Sequence, residues 1–343
     1  MTKNLLIIGY CHLADGFLYA SQWLKNYTIY FFPYLNYVLD KVENIEEIFH
    51  EFLTKNNINI CLWWNNSITS ASFQKMYLPH LQHIYFNWDP FLFSYETYHS
   101  NVWKDRLTNK EEVFSKMDMI FTCFEKEVHY FTQKQIPITY NPPGFEPSIS
   151  YYFKDPTYEC DISIICTNMY DYQEEFPDQS TNIPRYKIVN LLYEHRDKFK
   201  FHIYGPENFR EKYPDCYQRF ISYNECYKVF SNSKINLSIH PLVNELHTSP
   251  STQEYFSERV PQILGCQGLL MTNSDYTHVL SKNDYVFINE ETNILNKIES
   301  ILDQQEKYDQ VRLNGYQKAM GHMQWKHWGE KIEAYLEKNE EEK

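Results

Sequence analysis

Clustered positive charge is missing from this sequence. Its 32 Lys and Arg are outnumbered by 45 Asp and Glu, for a net charge of −13, and they are scattered along the chain. A nucleic-acid-binding surface needs grouped cations to displace phosphate counterions, so a nucleic-acid partner is not expected. Long apolar runs are missing too. No stretch approaches the roughly 18–20 apolar residues that span a bilayer, so no transmembrane segment is expected. The segment Met1–Tyr10 holds only the short run Leu5–Ile8, with one Lys and no small-residue cleavage site, which argues against a signal peptide. Eight cysteines are present without a C-x-x-C pair, and Cys61 and Cys166 sit inside apolar stretches. Reduced, buried thiols and a cytoplasmic location (the host cytoplasm for a viral protein) are the expectation. His80 and His83 have no second pair to complete a ligand set, so no metal site is expected. Repeats and low-complexity segments are absent. Charged residues, at 22%, are too few for a disordered chain. The acidic run Glu340–Glu342 reads as a solvated tail.

What is present is material for burial. Hydrophobic residues make up 43% of the chain and aromatics 17%, and 343 residues suit two domains of ordinary size. The first half alternates short apolar runs with amphipathic stretches. Strands are predicted at Asn4–Ile8, Thr28–Phe32, Asn59–Trp63, His83–Asn87 and Asp118–Thr122. Helices are predicted at Phe17–Asn26, Ile45–Asn56, Ser70–Tyr77 and Glu125–Gln133. Nearly continuous apolar strands separated by helices mark a parallel sheet covered on both faces. Asn141-Pro-Pro-Gly144 then interrupts the pattern, as neither a helix nor a central strand accommodates it. A second series follows, with strands at Asp161–Cys166, Lys200–Tyr204, Lys234–His240, Gly268–Thr272 and Tyr285–Ile288. Its helices fall at Arg185–Arg196, Asn224–Ser231, Gln253–Leu264 and Asn293–Gln305. From Gln324 to Leu336, Trp325, Trp328, Ile332, Tyr335 and Leu336 share one helical face, which suits a strap packed back on the first domain.

The predicted class is therefore α/β, with two Rossmann-like, doubly wound domains facing a cleft. The first covers residues 1–145, the second 146–322, and a C-terminal helix with its acidic tail 323–343. Ligands of open α/β sheets gather beyond the carboxyl ends of the strands.

Chemistry concentrates between Ser231 and Trp328. Lys234–His240 reads as a buried strand ending in a polar His, and Ser257–Asn273 as a helix running into a strand. Arg259 and Gln262, three apart, face the same way early in that helix. A helix N-terminus with an Arg beside it suits a diphosphate, since backbone N–H groups and a guanidinium both attract the anion. Gln262 is then placed to meet a ribose hydroxyl.

These residues resemble the C-terminal part of the CgeB-like glycosyltransferases, which have the GT-B fold. That family shows a strand ending in His, an N-x-R-x-x-E helix, an L-L-x-T strand, and a later Gly followed by a Trp. The matches are His240, Arg259, Leu269-Leu270-Met271-Thr272, and Gly315 with Trp325. The phage DNA β-glucosyltransferase has a similar R-x-x-E helix. The family's Asn is Ser257 here and its ribose-binding Glu is Gln262. Glu254 and Gln262 stand eight apart, which is half of the E-x7-E pattern of many retaining GT-B enzymes. Pro143-Gly-Phe-Glu-Pro147 resembles the family's interdomain turn, Ile203-Tyr-Gly205 its strand-turn ending in Gly, and Arg185 a phosphate-binding Arg at a helix start. His83–Asp89 is similar to the strand before the catalytic Asp of the phage enzyme.

The resemblance implies a metal-independent transfer with no cofactor. A sugar moves from a nucleotide-diphosphate donor, UDP-sugar favoured, to a hydroxyl of a glycan or glycoconjugate. Donor-binding residues on this reading are Arg259, Gln262, Arg185, His240, Gly205, Glu254 and Ser257. Inverting transfer requires a general base. Asp89, at a sheet's carboxyl edge, is the first candidate, and His12, in the loop after the first strand, the alternative. Aromatic residues between Tyr85 and Tyr98 adjoin Asp89 and suit either a core or a sugar platform. Two other functions fit the sequence, a nucleotide-sugar epimerase and a non-catalytic nucleotide-sugar or glycan-binding protein.

Overall fold

Runs such as Ile60–Trp64 are apolar at every position, and a strand of that kind is stable only where both of its faces are covered. The computed structural model describes residues 3–9, 14–64, 70–87, 112–167, 184–240, 256–289 and 292–341. The chain divides into two compact units, one of Met1–Pro142 with Trp325–Lys343 and one of Pro143–Gln324.

In the first unit, β1 (Lys3–Ile8), β2 (Tyr27–Phe32), β3 (Ile60–Trp64), β4 (Gln82–Asn87), β5 (Met119–Thr122) and β6 (Ile138–Tyr140) form one sheet. Their order is β2-β1-β3-β4-β5-β6, and every pairing is parallel. The C-terminal helix Trp325–Glu341 belongs to this unit. It packs Trp325, Trp328, Ile332 and Leu336 into the core with Leu5, Ile7, Leu62 and Phe86. Gly329 lets that helix close on its neighbour, since a Cβ there would lie 2.8 Å from Trp23 Cβ and 3.2 Å from the Ala20 carbonyl oxygen.

In the second unit, β7 (Cys160–Ile165), β8 (Phe201–Tyr204), β9 (Ser233–Ser238), β10 (Leu270–Thr272) and β11 (Val286–Phe287) form a parallel sheet of order β11-β10-β9-β7-β8. Apolar clusters centred on Ile162, Val189 and Ile298, and on Val260, Leu264 and Tyr276, make up its core. Strand order reverses between β1 and β3 in one unit and between β7 and β9 in the other, and such switch points open a crevice at the carboxyl ends.

All ten expected strands are present with ends within two residues of the expected ones. The eleventh, β6, is short and half-buried at the sheet edge, and it follows Pro137, whose carbonyl accepts from the Ile120 N–H. The C-terminal helix runs on to Glu341 through part of the expected acidic tail, and the helix Gln305–His322 is additional to the expected ones. Two others differ from expectation at their starts. The first runs Ala14–Ser21, and residues 22–26 turn instead toward β2. Asn26 is held there by the C-terminal helix, with Glu333 accepting from its backbone N–H at 3.1 Å and Glu337 from its side-chain amide at 2.9 Å. The other expected helix, Gln253–Leu264, begins only at Arg259 among the described residues and ends at Gly265.

Candidate functional site

The carboxyl ends of β7 and β9 are each met by an arginine. Arg259 opens the helix Arg259–Gly265, whose Pro261 lies in the first turn, where its missing N–H is not needed. Ser257 is buried just before it, and its hydroxyl accepts from the Arg259 backbone N–H at 3.3 Å. The Arg259 Nη1 donates to the carbonyl of Ile165, the last residue of β7, at 3.1 Å. Arg185 follows Pro184 at the start of the helix Pro184–Glu194 and is only 4% exposed. Its Nε donates to the carbonyl of Ile239, one residue past β9, at 2.7 Å. Two guanidinium groups thus cap the two strands between which the order reverses.

His240 comes next in the chain and is fully buried. Asn273 clasps its backbone from both sides, accepting from the His240 N–H at 2.9 Å and donating to its carbonyl at 3.0 Å. The ring Nε2 lies 3.0 Å from the Tyr276 hydroxyl and 3.3 Å from Ser238 Oγ. Burial holds the imidazole well below its ordinary pKa, and the Arg259 and Arg185 charges push in the same direction. His240 is therefore a neutral hydrogen-bonding group between two cations.

Arg259 lacks a counter-ion among the described residues, where the arginine ion pairs belong to Arg196, Arg210, Arg219 and Arg312. Its Nε is buried with no acceptor among those residues, and the same holds for Nε2 of Gln262, a side chain 3% exposed. A desolvated donor without a partner is costly, and an anion or a hydroxyl arriving there removes the cost. Gly205, just past β8, serves close packing. Its φ is not positive, and a Cβ there would run into the Cys166 carbonyl oxygen and the Phe209 ring.

The structure brings Arg259, Arg185 and His240 together at one sheet edge, with Ser257 under Arg259. Asp89, His12 and Glu254 lie outside the described residues, as does most of the aromatic stretch from Tyr85 to Tyr98. Tyr85 itself is buried edge-on against Phe114. His83 is a core residue, its ring stacked on Trp63 and accepting from the Trp63 indole N–H at 3.0 Å. Among the described residues no three His, Cys, Asp or Glu side chains gather as metal ligands.

Sequence reasoning missed the Asn273–Tyr276 support of His240, because a polar residue after a strand is too ordinary a signal. It also missed a buried cluster at the carboxyl edge of the first sheet. There Glu127 accepts from Thr122 Oγ1 at 2.7 Å and from the Asn87 amide at 2.5 Å, and all three side chains are fully buried. Nothing in the pattern E-K-E-V distinguishes that glutamate from a solvated one.

Residues 185–334 match a family described as glycosyl transferase-like, a span that contains Arg185, His240, Ser257, Arg259 and Gln262. No curated protein matches the chain. Among solved structures, sucrose-phosphate synthase from Thermosynechococcus elongatus is similar over 99% of this chain and 100% of its own, with a TM-score of 0.71 at 10% identity. Anabaena HepE in complex with UDP-glucose covers 98% of this chain and 99% of its own, with a TM-score of 0.65 at 8% identity. A glycosyltransferase from Rickettsia africae gives a TM-score of 0.62 at 11% identity, over 98% of both chains.

The fold is GT-B. At such identities the structural likeness is one of fold alone. The family match adds that residues 185–334 of this GT-B chain are similar to a glycosyl transferase-like family, and the two together support a glycosyltransferase.

The histidines of this GT-B chain also set its response to acid. Burial lowers His240, His83, His278 and His202, the last to about 4. A histidine whose folded pKa lies below its unfolded value of 6.5 takes up a proton on unfolding. Stability is therefore full above pH 6.5 and falls as pH drops toward the folded value. Carboxylates held low by partners, such as Glu225 at about 2 through its hydrogen bond from Arg219, act only below their unfolded value of 4.5. Glu125, raised by burial, works in the opposite sense just above 4.5. The melting temperature should fall steadily from pH 6.5 to about 4.5, and His202→Gln should flatten that slope. Calorimetry across the range checks it; a flat profile would show that the histidines do not carry it.

Proposed function

We propose that the chain transfers a sugar from a nucleotide-diphosphate donor, UDP-sugar favoured, to a hydroxyl of a glycan or glycoconjugate, without a metal and with inversion at the anomeric carbon. The CgeB-like type is the reading that the matches at His240, Arg259 and Thr272 support. The observation that carries the proposal is the pair Arg259 and Arg185 at the carboxyl ends of β7 and β9, with Arg259 lacking any counter-ion among the described residues. A diphosphate supplies that missing charge. Bidentate guanidinium–phosphate bonds are strong and directional, and here each guanidinium is already oriented by a strand-end carbonyl. HepE holds UDP-glucose on the same fold, which supports uridine as the base.

In the reaction the acceptor hydroxyl attacks the anomeric carbon while its proton passes to a general base, Asp89 first and His12 as the alternative. The bond from that carbon to the β-phosphate oxygen breaks, and its electron pair leaves with the nucleoside diphosphate. Arg259 and Arg185 stabilise the charge that develops on the leaving oxygen. Fixed cations reorganise little as that charge grows, and this is the largest contribution such a site makes. Neutral His240 and Gln262 supply hydrogen bonds to the donor's hydroxyls, while Ser257 orients Arg259.

Thermal denaturation with a panel of nucleoside diphosphates tests the reading. A ligand specific to the folded state at a hundred times its Kd adds about 2.7 kcal/mol of stability. UDP is expected to raise the melting temperature most, and UDP-sugar incubated without acceptor to release UDP slowly. If no nucleoside diphosphate moved the transition, the donor site would have to be abandoned.

A further inference from the structure

On the second unit, at the end of the sheet opposite Arg259 and His240, an aromatic surface faces solvent. Tyr151, Tyr152 and Phe153 are 42%, 50% and 38% exposed. Tyr151 stacks on Tyr227 with ring centroids 4.7 Å apart and planes at 25°, and Phe153 meets Tyr227 edge-on at 5.8 Å. A hydrogen bond to Tyr151, together with burial, pushes the Tyr227 phenol up to about 12.

The segment is not a loose loop. The Ser231 hydroxyl accepts from the Phe153 N–H and donates to the Tyr151 carbonyl, each at 3.1 Å. The Asn232 amide donates to the Phe153 carbonyl at 2.7 Å and accepts from the Asp155 N–H at 2.8 Å. These four bonds tie the segment to the residues immediately before β9, with the Tyr151 and Phe153 rings packed on Tyr227 and still 42% and 38% exposed. Leaving these rings 38–50% exposed forgoes burial worth roughly 25 cal/mol per Å² of apolar surface. The arrangement makes physical sense as a preformed contact surface, which loses little freedom when a ligand lands.

The surroundings say which ligand. Lys228 and Arg219 are both paired with Glu225, at 3.4 and 3.1 Å, and Lys154 with Glu159 at 2.6 Å. With Asp155 beside Lys228 as the third carboxylate, these three cations face three acids, so an anionic polymer or an anionic lipid surface gains little there. Tyr151, Tyr152 and Phe153 are three consecutive exposed aromatics, and two carry hydroxyls. Flat faces edged with phenols match a sugar chain, whose C–H faces lie on rings while its hydroxyls reach phenol oxygens.

We propose that Tyr151, Phe153 and Tyr227 form a platform that binds a neutral oligosaccharide, distinct from the donor site. The choice of a glycan rests on the transferase reading above, and the platform gives that glycan a second foothold on the enzyme. β7 and β9 are six residues long, so the platform lies on the order of 20 Å from the arginine pair. A tethered acceptor stays near the enzyme at a raised effective concentration between transfers.

The test is saturation-transfer NMR of the full chain without donor, using cellohexaose, chitohexaose and maltoheptaose as probes. The double variant Tyr151→Ala/Phe153→Ala leaves all four anchoring bonds in place, because those bonds use only backbone atoms of this segment. At least one probe should bind the natural protein, and the variant should weaken it tenfold or more while UDP still raises the melting temperature equally. Ser231→Ala, which loosens the platform but keeps its rings, should weaken binding by a smaller factor. The proposal is overturned if no probe binds, or if the variant binds as well as the natural protein. It is equally overturned if the variant instead loses self-association in sedimentation or binding to neutral phosphatidylcholine vesicles. A lost UDP response in the natural protein with glycan binding intact would count against the donor site alone.

Discussion

Arg259→Ala should eliminate the stabilisation of this protein by UDP while leaving its melting temperature without ligand within a few degrees of the natural protein's. The side chain is half-buried and makes one described bond of its own, to the Ile165 carbonyl, so its removal costs the fold little. Binding loses far more. A hydrogen bond to a charged group is worth about 1.5–3 kcal/mol, and a bidentate contact to a diphosphate contains two. A loss of about 3–4 kcal/mol corresponds to a few hundred-fold in Kd. Arg259→Lys should recover only part of it, because an ammonium cannot hold the strand-end carbonyl and the phosphate in one planar fork. Calorimetric titration with UDP measures both variants. A normal Kd for Arg259→Ala would remove the foundation of the proposed mechanism.

Asp89→Asn should have the opposite profile, with UDP binding retained and transfer reduced by about 10²–10⁴-fold, the usual contribution of a positioned general base. Asp89 stands two residues after Asn87, the last residue of β4, whose side chain is locked by the buried Glu127. Single-turnover transfer and UDP titration on the same variant separate the two effects. Full turnover would transfer the role to His12, which Asn and Gln substitutions would then test.

Parts of the site are legible in the residue pattern alone. Arg259, Gln262 and His240 stand out because a polar residue after an apolar strand, and an arginine at a helix start, interrupt patterns that are otherwise apolar. The partners of each are not legible there. Arg185 looks like any cation after Pro184; only the folded sheet brings Ile239, 54 positions away, within 2.7 Å of its Nε. The expected continuation of the first helix to Asn26 fails for a similar reason. Its local propensity is outweighed by hydrogen bonds to Glu333 and Glu337, more than 300 positions distant. The exposed ring cluster is not marked in the pattern either, since Tyr151-Tyr152-Phe153 is anchored by Ser231 and Asn232, almost 80 positions away.

The alternation of apolar runs and amphipathic stretches determined the two parallel sheets, because periodicity and burial are local properties that each segment carries with it. Tertiary structure alone decided which strand ends lie side by side, and hence that two cations from distant helices flank one neutral histidine. Electrostatic fields depend on distance through space, and sequence separation does not encode that distance.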